Sequence, residues 1–240
     1  MRIAVWSGPR NLSTAMMYSF AARGDVAVWD EPLYSAYLTR TGLKHPMRDE
    51  IIAAGEPDPA RVIARLTGPV PGGKDIFYQK HMCQHMLEGI DRGWLREVTN
   101  VFLIRHPARV LASFAAKREN PGLDELGFRQ QGELFEMVAA WGQGPVVIDS
   151  ADIRAAPGPM LRALCVALGI DFRDAMLHWP AGGHRDDGVW APVWYASVHR
   201  STGFAGAEPP LPALGGAQAG MVARALPYYE ALAAHRLRAI

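Results

Sequence analysis

Apolar and polar positions along this chain alternate in blocks that read by turns as strands and helices. Residues 2–6 form a short run rich in Ile and Val, the pattern of a buried strand, and residues 7–13 then mix Gly, Pro, Asn and Ser. From Thr14 onward, Ala15, Met16, Met17, Phe20 and Ala21 fall at helical spacing. Residues 26–29 predict a second strand that stops at Asp30-Glu31-Pro32, because Pro32 cannot donate to a sheet ladder. Residues 33–75 show weak helical patterning, clearest over 59–66, and are expected to form a variable, partly helical insertion. A third strand is predicted over 75–80, a short helix over 82–90 and a strongly buried strand over 100–104. Arg105-His106-Pro107 follows, with a helix from 108 to about Arg118.

Further on, the pattern predicts a looser helix over 123–141, a strand over 145–148, a turn over 149–156 and an amphipathic helix over 159–168 closed by Gly169. Residues 179–220 are irregular, aromatic and rich in Gly and Pro. They are too apolar for a disordered tail and are expected to fold over the site as a lid, with a loop at 205–220. A final helix is predicted over 221–237. No repeat or linker interrupts the chain, so one domain over 1–240 is expected. Strands alternating with helices at this spacing place the chain in the α/β class, a central parallel sheet in three layers. Ligands of such sheets bind beyond the C-terminal ends of the strands. The residues to watch are therefore Ser7 to Thr14, Glu31, Lys80, His81, Arg105 and Asp149.

Composition narrows the function. Lys and Arg number 25 against 24 Asp and Glu, a balance that argues against a general nucleic-acid surface. Cys83 and Cys165 are too few for a disulfide framework or a Cys-rich zinc site. No apolar run reaches membrane-spanning length, and Met1 leads straight into the first predicted strand without a secretory signal. A cytoplasmic setting without membrane or nucleic-acid partners is the expectation.

The first loop carries the clearest chemistry. A strand, a tight polar turn and a helix N-terminus together make an anion pocket, because first-turn N–H groups lack helical partners and the helix dipole adds positive potential. Arg10 lies inside that turn. Counted from Gly8, the nucleotide-hydrolysing pattern G-x-x-x-x-G-K-[ST] would need Gly at Ser13 and Lys at Thr14. With that Lys absent, an ordinary ATPase or GTPase is disfavoured, and another phosphorylated or sulfated ligand is expected.

Pro9-Arg10-Asn11-Leu12-Ser13-Thr14 resembles the 5′-phosphosulfate loop of sulfotransferases, P-K-S-G-T-T, with Arg10 at the Lys and Leu12 at the Gly. Residues 103–114 resemble the family's 3′-phosphate motif R-[DN]-P-x-[DE]-x-x-x-S. Arg105 and Ser113 stand at its two contact positions with Pro107 between them, and His106 and Arg109 depart from it. Residues 146–153 and 157–170 match a later stretch that runs strand, acidic turn, then a helix ending in L-G. With DEPLY at 30–34 and VWAPVWYASVHRSTGF at 189–204, the chain resembles bacterial sulfotransferase-like P-loop proteins. More narrowly, it is similar to the sulfotransferase-like part of plant branched-chain-aminotransferase-like proteins.

The resemblance implies transfer of a sulfuryl group from 3′-phosphoadenosine 5′-phosphosulfate to a hydroxyl or amine of a small acceptor, with no metal. It implies nucleotide contacts from Arg10, Asn11, Ser13, Thr14, Arg105 and Ser113, with Arg200 matching a late R-K-G element. Arg10 also supplies the cation near the leaving oxygen. Two bases compete. Glu31 stands where many members carry a catalytic glutamate, and His81, in Gln79-Lys80-His81, resembles the Lys-x-His region of others. Glu31 is preferred for position, with Lys80, Trp190 and Trp194 on the acceptor side. The competing readings make Glu31 a strand-end acid paired with Lys80 or Arg10, and His81 a packed or surface histidine. His81 and His85, four apart with Glu88 beyond, would share a helix face, a weak metal pattern. The rival functions are a P-loop nucleotide kinase or NTP-binding protein, and a non-catalytic nucleotide-binding module of the same fold.

Overall fold

The computed structural model describes residues 1–115 and 122–240. Its centre is a sheet of β1 (Arg2–Ser7), β2 (Val26–Asp30), β3 (Ile76–Met82), β4 (Thr99–Ile104) and β5 (Val146–Asp149), ordered β2-β3-β1-β4-β5. Every pairing is parallel. A sheet covered on both faces needs strands that are apolar throughout, and β1 and β4 meet that demand with almost wholly buried residues. Successive side chains point to opposite faces. Ile3 and Val5 therefore join one core and Ala4 and Trp6 the other.

The helices, in chain order, are α1 (Ser13–Ala21), α2 (Tyr34–Thr41), α3 (Arg48–Ala54), α4 (Pro59–Thr67), α5 (Pro107–Ala115) and α6 (Leu123–Leu126). They continue with α7 (Phe128–Ala140), α8 (Ser150–Ala155), α9 (Pro157–Leu168), α10 (Ala191–Trp194), α11 (Ala196–His199) and α12 (Gly216–Ala233). Met16, Met17 and Phe20 of α1 pack with Leu161 and Leu164 of α9 over Ile3, Tyr78, Leu103 and Ile148. On the far face, Leu66 of α4, Leu134 and Phe135 of α7 and Leu232 of α12 cover Trp6, Phe102 and Val147. Helices on both faces of a parallel sheet make the three-layer α/β architecture that the sequence predicts.

Several local expectations are corrected. Residues 82–90 do not form a helix: β3 runs on to Met82 and only a 3₁₀ turn, Cys83–His85, follows. The predicted helix over 123–141 is broken at Gly127, whose φ of 73° no right-handed helix accommodates. The turn over 149–156 contains α8, capped by the Asp149 carboxylate accepting from the Ala151 N–H at 2.8 Å. The final helix starts at Gly216, within the stretch expected to be loop, and ends at Ala233. The stretch from 116 to Arg118 in the helix predicted after Pro107 lies outside the described residues. Among the described residues, no helix is long and apolar enough to cross a membrane.

Candidate active site

The C-terminal ends of the strands open into a cleft of about 360 Å³, within the range of small-molecule sites. Arg10, Thr14, Glu31, Lys80, Arg105 and Trp194 are among the residues that line it. The loop between β1 and α1 forms its floor. Gly8 is required there by space, since a Cβ would lie 2.5 Å from the carbonyl oxygen of Leu126. Arg10 and Leu12 take positive φ values of 58° and 64°. For a leucine this left-handed backbone costs roughly 1–2 kcal/mol, and packing of the Leu12 side chain against the core offsets part of it. Leu12 thus follows the backbone path that a glycine would take most cheaply. Asn11 Nδ2 donates to the Leu103 carbonyl at 2.6 Å, so its amide clamps the loop to β4. No side chain caps α1 and no acid stands in its first turn, which leaves the positive end of the helix facing the cleft through Ser13 and Thr14.

Two arginines flank this loop. Arg10 donates through Nε to Ser113 Oγ at 3.0 Å and through Nη1 to the Trp194 carbonyl at 3.2 Å. It pairs with no carboxylate among the described residues. Burial, and secondarily the charge of Arg105, lowers its pKa from the usual guanidinium value. Arg105 donates through Nη1 to the Arg10 carbonyl at 2.6 Å, so the strand-end cation also supports the loop. Its other Nη bonds Glu208, a carboxylate that Arg109 Nε meets at 2.8 Å and Arg154 Nη1 at 3.1 Å.

Opposite the loop lies a buried ionic cluster. Lys80 Nζ donates to Asp30 Oδ1 at 2.7 Å, Glu31 Oε1 at 2.6 Å and Tyr195 Oη at 2.7 Å. The Tyr195 hydroxyl also accepts from Trp190 Nε1 at 2.9 Å. It lies within 3.1 Å of both carboxylates, yet has a single proton to give. Burial alone would lower the Lys80 pKa, but Asp30 and Glu31 outweigh it and the net shift is upward. Glu31 is raised, because burial outweighs the attraction of Lys80. Asp30 and Lys80 are about 1% exposed, whereas Glu31 keeps 10% of its side chain accessible. Its Oε2 takes no hydrogen bond from any described residue and is the free edge of the cluster at the cleft. A φ of 42° turns Glu31 out of the strand direction while its N–H still bonds the Lys80 carbonyl at 2.9 Å.

The cleft therefore gathers Arg10, Asn11, Ser13, Thr14, Glu31, Lys80, Arg105, Ser113 and Trp194, and leaves the sequence-selected His81, Trp190, Arg200 and Asp149 outside. His81 follows Lys80 on the same strand and so points to the opposite face. There it stacks on Trp6 with ring centres 4.4 Å apart, and burial pushes its pKa down to about 3. The expectation of a base at His81 does not fit that placement. Trp190 is buried behind Tyr195 and positions its hydroxyl rather than lining the cleft. Arg200 is exposed beyond the lining residues, so the match to a late phosphate-binding element finds no geometric support. Asp149 caps α8 and bonds Tyr229 Oη at 2.7 Å instead of reaching the cleft.

The sequence assigns no site role to the lining residues Tyr34 and Tyr37, and offers His85 only as half of a weak metal pattern. The His85 ring stacks on Tyr34 and Tyr37, both at 4.6 Å, and builds an aromatic wall beside Glu31. His81 and His85 share no helix face, since one is on β3 and the other in the turn after it. Among the described residues, no group of three or more His, Cys, Asp or Glu side chains converges in metal-binding geometry. Asp30, Arg154 and Glu208 are distant in sequence from the residues they meet, and no local pattern points to them.

The fold has known relatives. Residues 1–236 match the family model described as a sulfotransferase domain. Two Arabidopsis thaliana proteins are similar in sequence. Branched-chain-amino-acid aminotransferase-like protein 2 is 39% identical over 84% of this chain and 36% of its own length. The corresponding protein 1 is 38% identical over 96% of this chain and 41% of its own. The chain thus spans only about two-fifths of either relative. Among solved structures, the sulfotransferase domain of the Synechococcus PCC 7002 olefin synthase superposes with a TM-score of 0.59 at 18% identity, covering 99% of this chain and 96% of that one. The sulfotransferase domain from the curacin biosynthetic pathway gives 0.52 at 14% identity, covering 94% and 97%. These structures share the fold, and the family match spans nearly the whole sequence: the chain belongs to the sulfotransferase domain family.

Proposed function

We propose that this protein transfers a sulfuryl group from 3′-phosphoadenosine 5′-phosphosulfate to a hydroxyl or amine of a small acceptor. The observation that carries the reading is Arg10, a cation on an uncapped helix N-terminus, beside the cleft and without a carboxylate partner among the described residues. A half-buried cation left in that state favours an anionic ligand. Arg105 one strand-end away supports a second phosphate contact, and together they fit a 3′,5′-bisphosphorylated nucleotide better than ATP.

When bound, the nucleotide supplies an activated sulfuryl group for in-line transfer. The S–O bond to the 5′-phosphate breaks as the acceptor's bond to sulfur forms, in a step governed by positioning and charge, as phosphoryl transfer is. On this reading, Glu31 Oε2 takes the acceptor proton, and its raised pKa makes it a stronger base than an ordinary carboxylate. Lys80 and Tyr195 hold Glu31 Oε1 and fix the direction of the free oxygen. Arg10 and the first-turn N–H groups of α1 stabilise charge on the departing phosphate electrostatically, since a guanidinium does not surrender its proton near neutral pH. The wall of Tyr34, Tyr37 and His85 bounds the acceptor end, and Trp194, packed against the same apolar cluster, extends it.

Calorimetry with adenosine 3′,5′-bisphosphate, against ATP with magnesium, tests the reading. Metal-independent binding of the bisphosphate is expected. Absence of binding, or preference for magnesium-ATP, would overturn it. Arg105→Ala should weaken the bisphosphate much more than adenosine 5′-phosphate.

A further inference from the structure

Glu208 sits in the irregular stretch before α12, about a hundred positions from Arg105 and Arg109, yet its side chain is only 2% exposed. It is enclosed by three guanidiniums from different elements. Arg105 follows β4, Arg109 is in the first turns of α5 and Arg154 is on α8. Backbone contacts hold the same segment in place: Arg154 Nε donates to the Gly206 carbonyl at 2.9 Å, and Arg109 Nη2 bonds the Pro209 carbonyl. Glu208, Arg105 and Arg154 all line the cleft.

Charge makes this cluster unusual. Three guanidiniums meet one carboxylate, a surplus of about two positive charges, the amount a phosphate monoester carries near neutral pH. Planar guanidinium forks suit phosphate oxygens as well as carboxylate oxygens. A single carboxylate is an incomplete match to a site of this capacity.

We propose that Arg105, Arg109 and Arg154 form one subsite for a phosphate monoester, and that Glu208 is its intramolecular occupant, displaced when the ligand's phosphate enters. The idea rests on the nucleotide reading above and adds Arg109, Arg154 and the Glu208 latch to it. Displacement frees residues 206–211 from the cleft edge, so nucleotide binding loosens that segment. Affinity for the phosphate is reduced by the fraction of molecules in which the latch is closed.

Calorimetry on wild type and Glu208→Gln, with adenosine 3′,5′-bisphosphate and with adenosine 5′-phosphate, tests this. The amide retains hydrogen bonding but lacks the charge. The variant should bind the bisphosphate about tenfold more tightly and the 5′-monophosphate unchanged. If wild type binds the bisphosphate and the variant binds it equally or more weakly, the latch is wrong and the nucleotide reading survives. If neither protein binds it, both fall. Should Glu208→Gln not fold, hydrogen exchange on wild type decides. Faster exchange over 206–211 with the bisphosphate, but not with adenosine 5′-phosphate, supports displacement; unchanged or slower exchange overturns it.

Discussion

Lys80 Nζ lies 2.6 Å from Glu31 Oε1, a contact between residues 49 positions apart that exists because β2 and β3 pair in parallel. The register sets Asp30 directly beside Lys80, and the turn at Glu31 brings the next carboxylate onto the same ammonium. One cation thus holds two carboxylates at the edge of the cleft.

Removing that cation should be costly. Lys80→Met leaves Asp30 and Glu31 buried without a counter-charge, and breaking a buried ion pair in this way costs about 3–5 kcal/mol. Urea unfolding of the variant is expected to show a loss of that order. A change below about 1 kcal/mol, the range of a surface pair, would mean that the cluster is solvated.

The pH profile of turnover distinguishes the two bases. Glu31 must be ionised to accept a proton, and its pKa lies above the ordinary 4.5. Activity should therefore fall as pH drops through a limb displaced above 4.5. Glu31→Gln should lower kcat by about 10²-fold or more and abolish the limb while retaining nucleotide binding. His81→Phe, which preserves the stacking on Trp6, should leave both limb and kcat in place. The opposite pattern would return the base to His81.

His81 should instead report in stability. Its folded pKa, near 3, lies below the ordinary 6.5, so it stays neutral in the fold while the unfolded chain takes up a proton. Its contribution is complete above pH 6.5 and is lost as pH falls towards 3, with a slope of at most about 1.4 kcal/mol per pH unit. His85, also shifted down by burial, acts in the same direction. Unfolding midpoints measured from pH 7 to pH 4 should show a shallower acid loss for His81→Phe than for wild type. An identical slope would contradict a buried neutral His81.

Gly8 provides a steric test of the loop. An added Cβ at 2.5 Å from the Leu126 carbonyl oxygen meets backbone, which has little freedom to yield. Gly8→Ala is expected to cost about 1–3 kcal/mol and to weaken nucleotide binding by displacing the loop. Wild-type stability and affinity in this variant would show that the α6 turn gives way readily.

Much of the site was legible in the sequence for local reasons. The strand of residues 2–6, the polar turn and the helix after it are adjacent along the chain, so their pattern suffices to predict an anion pocket at Arg10. Arg105 and Ser113 were legible in the same way, because only eight positions separate the end of β4 from the second turn of α5. Strand parity could have removed His81 at once: neighbours on a strand face opposite sides, and Lys80 already occupied the cleft side. The competing reading of Glu31 as a partner of Lys80 is the contact that forms. Leu12 takes a glycine's conformation without being one, because core packing offsets backbone strain.

The sequence by itself determined the alternation of strands and helices, the α/β class and the strand–turn–helix that carries the first loop, since each depends on residues within a few positions of one another. Only the tertiary structure decided which face His81 takes, which hydroxyl steadies Glu31 and which carboxylate closes the three-arginine cluster. Asp30 and Tyr195 are 165 positions apart, and Arg154 and Glu208 are 54 apart. Contacts at such separations are set by strand order and by where an irregular segment folds back. Packing of the whole chain establishes both, and no local pattern encodes them.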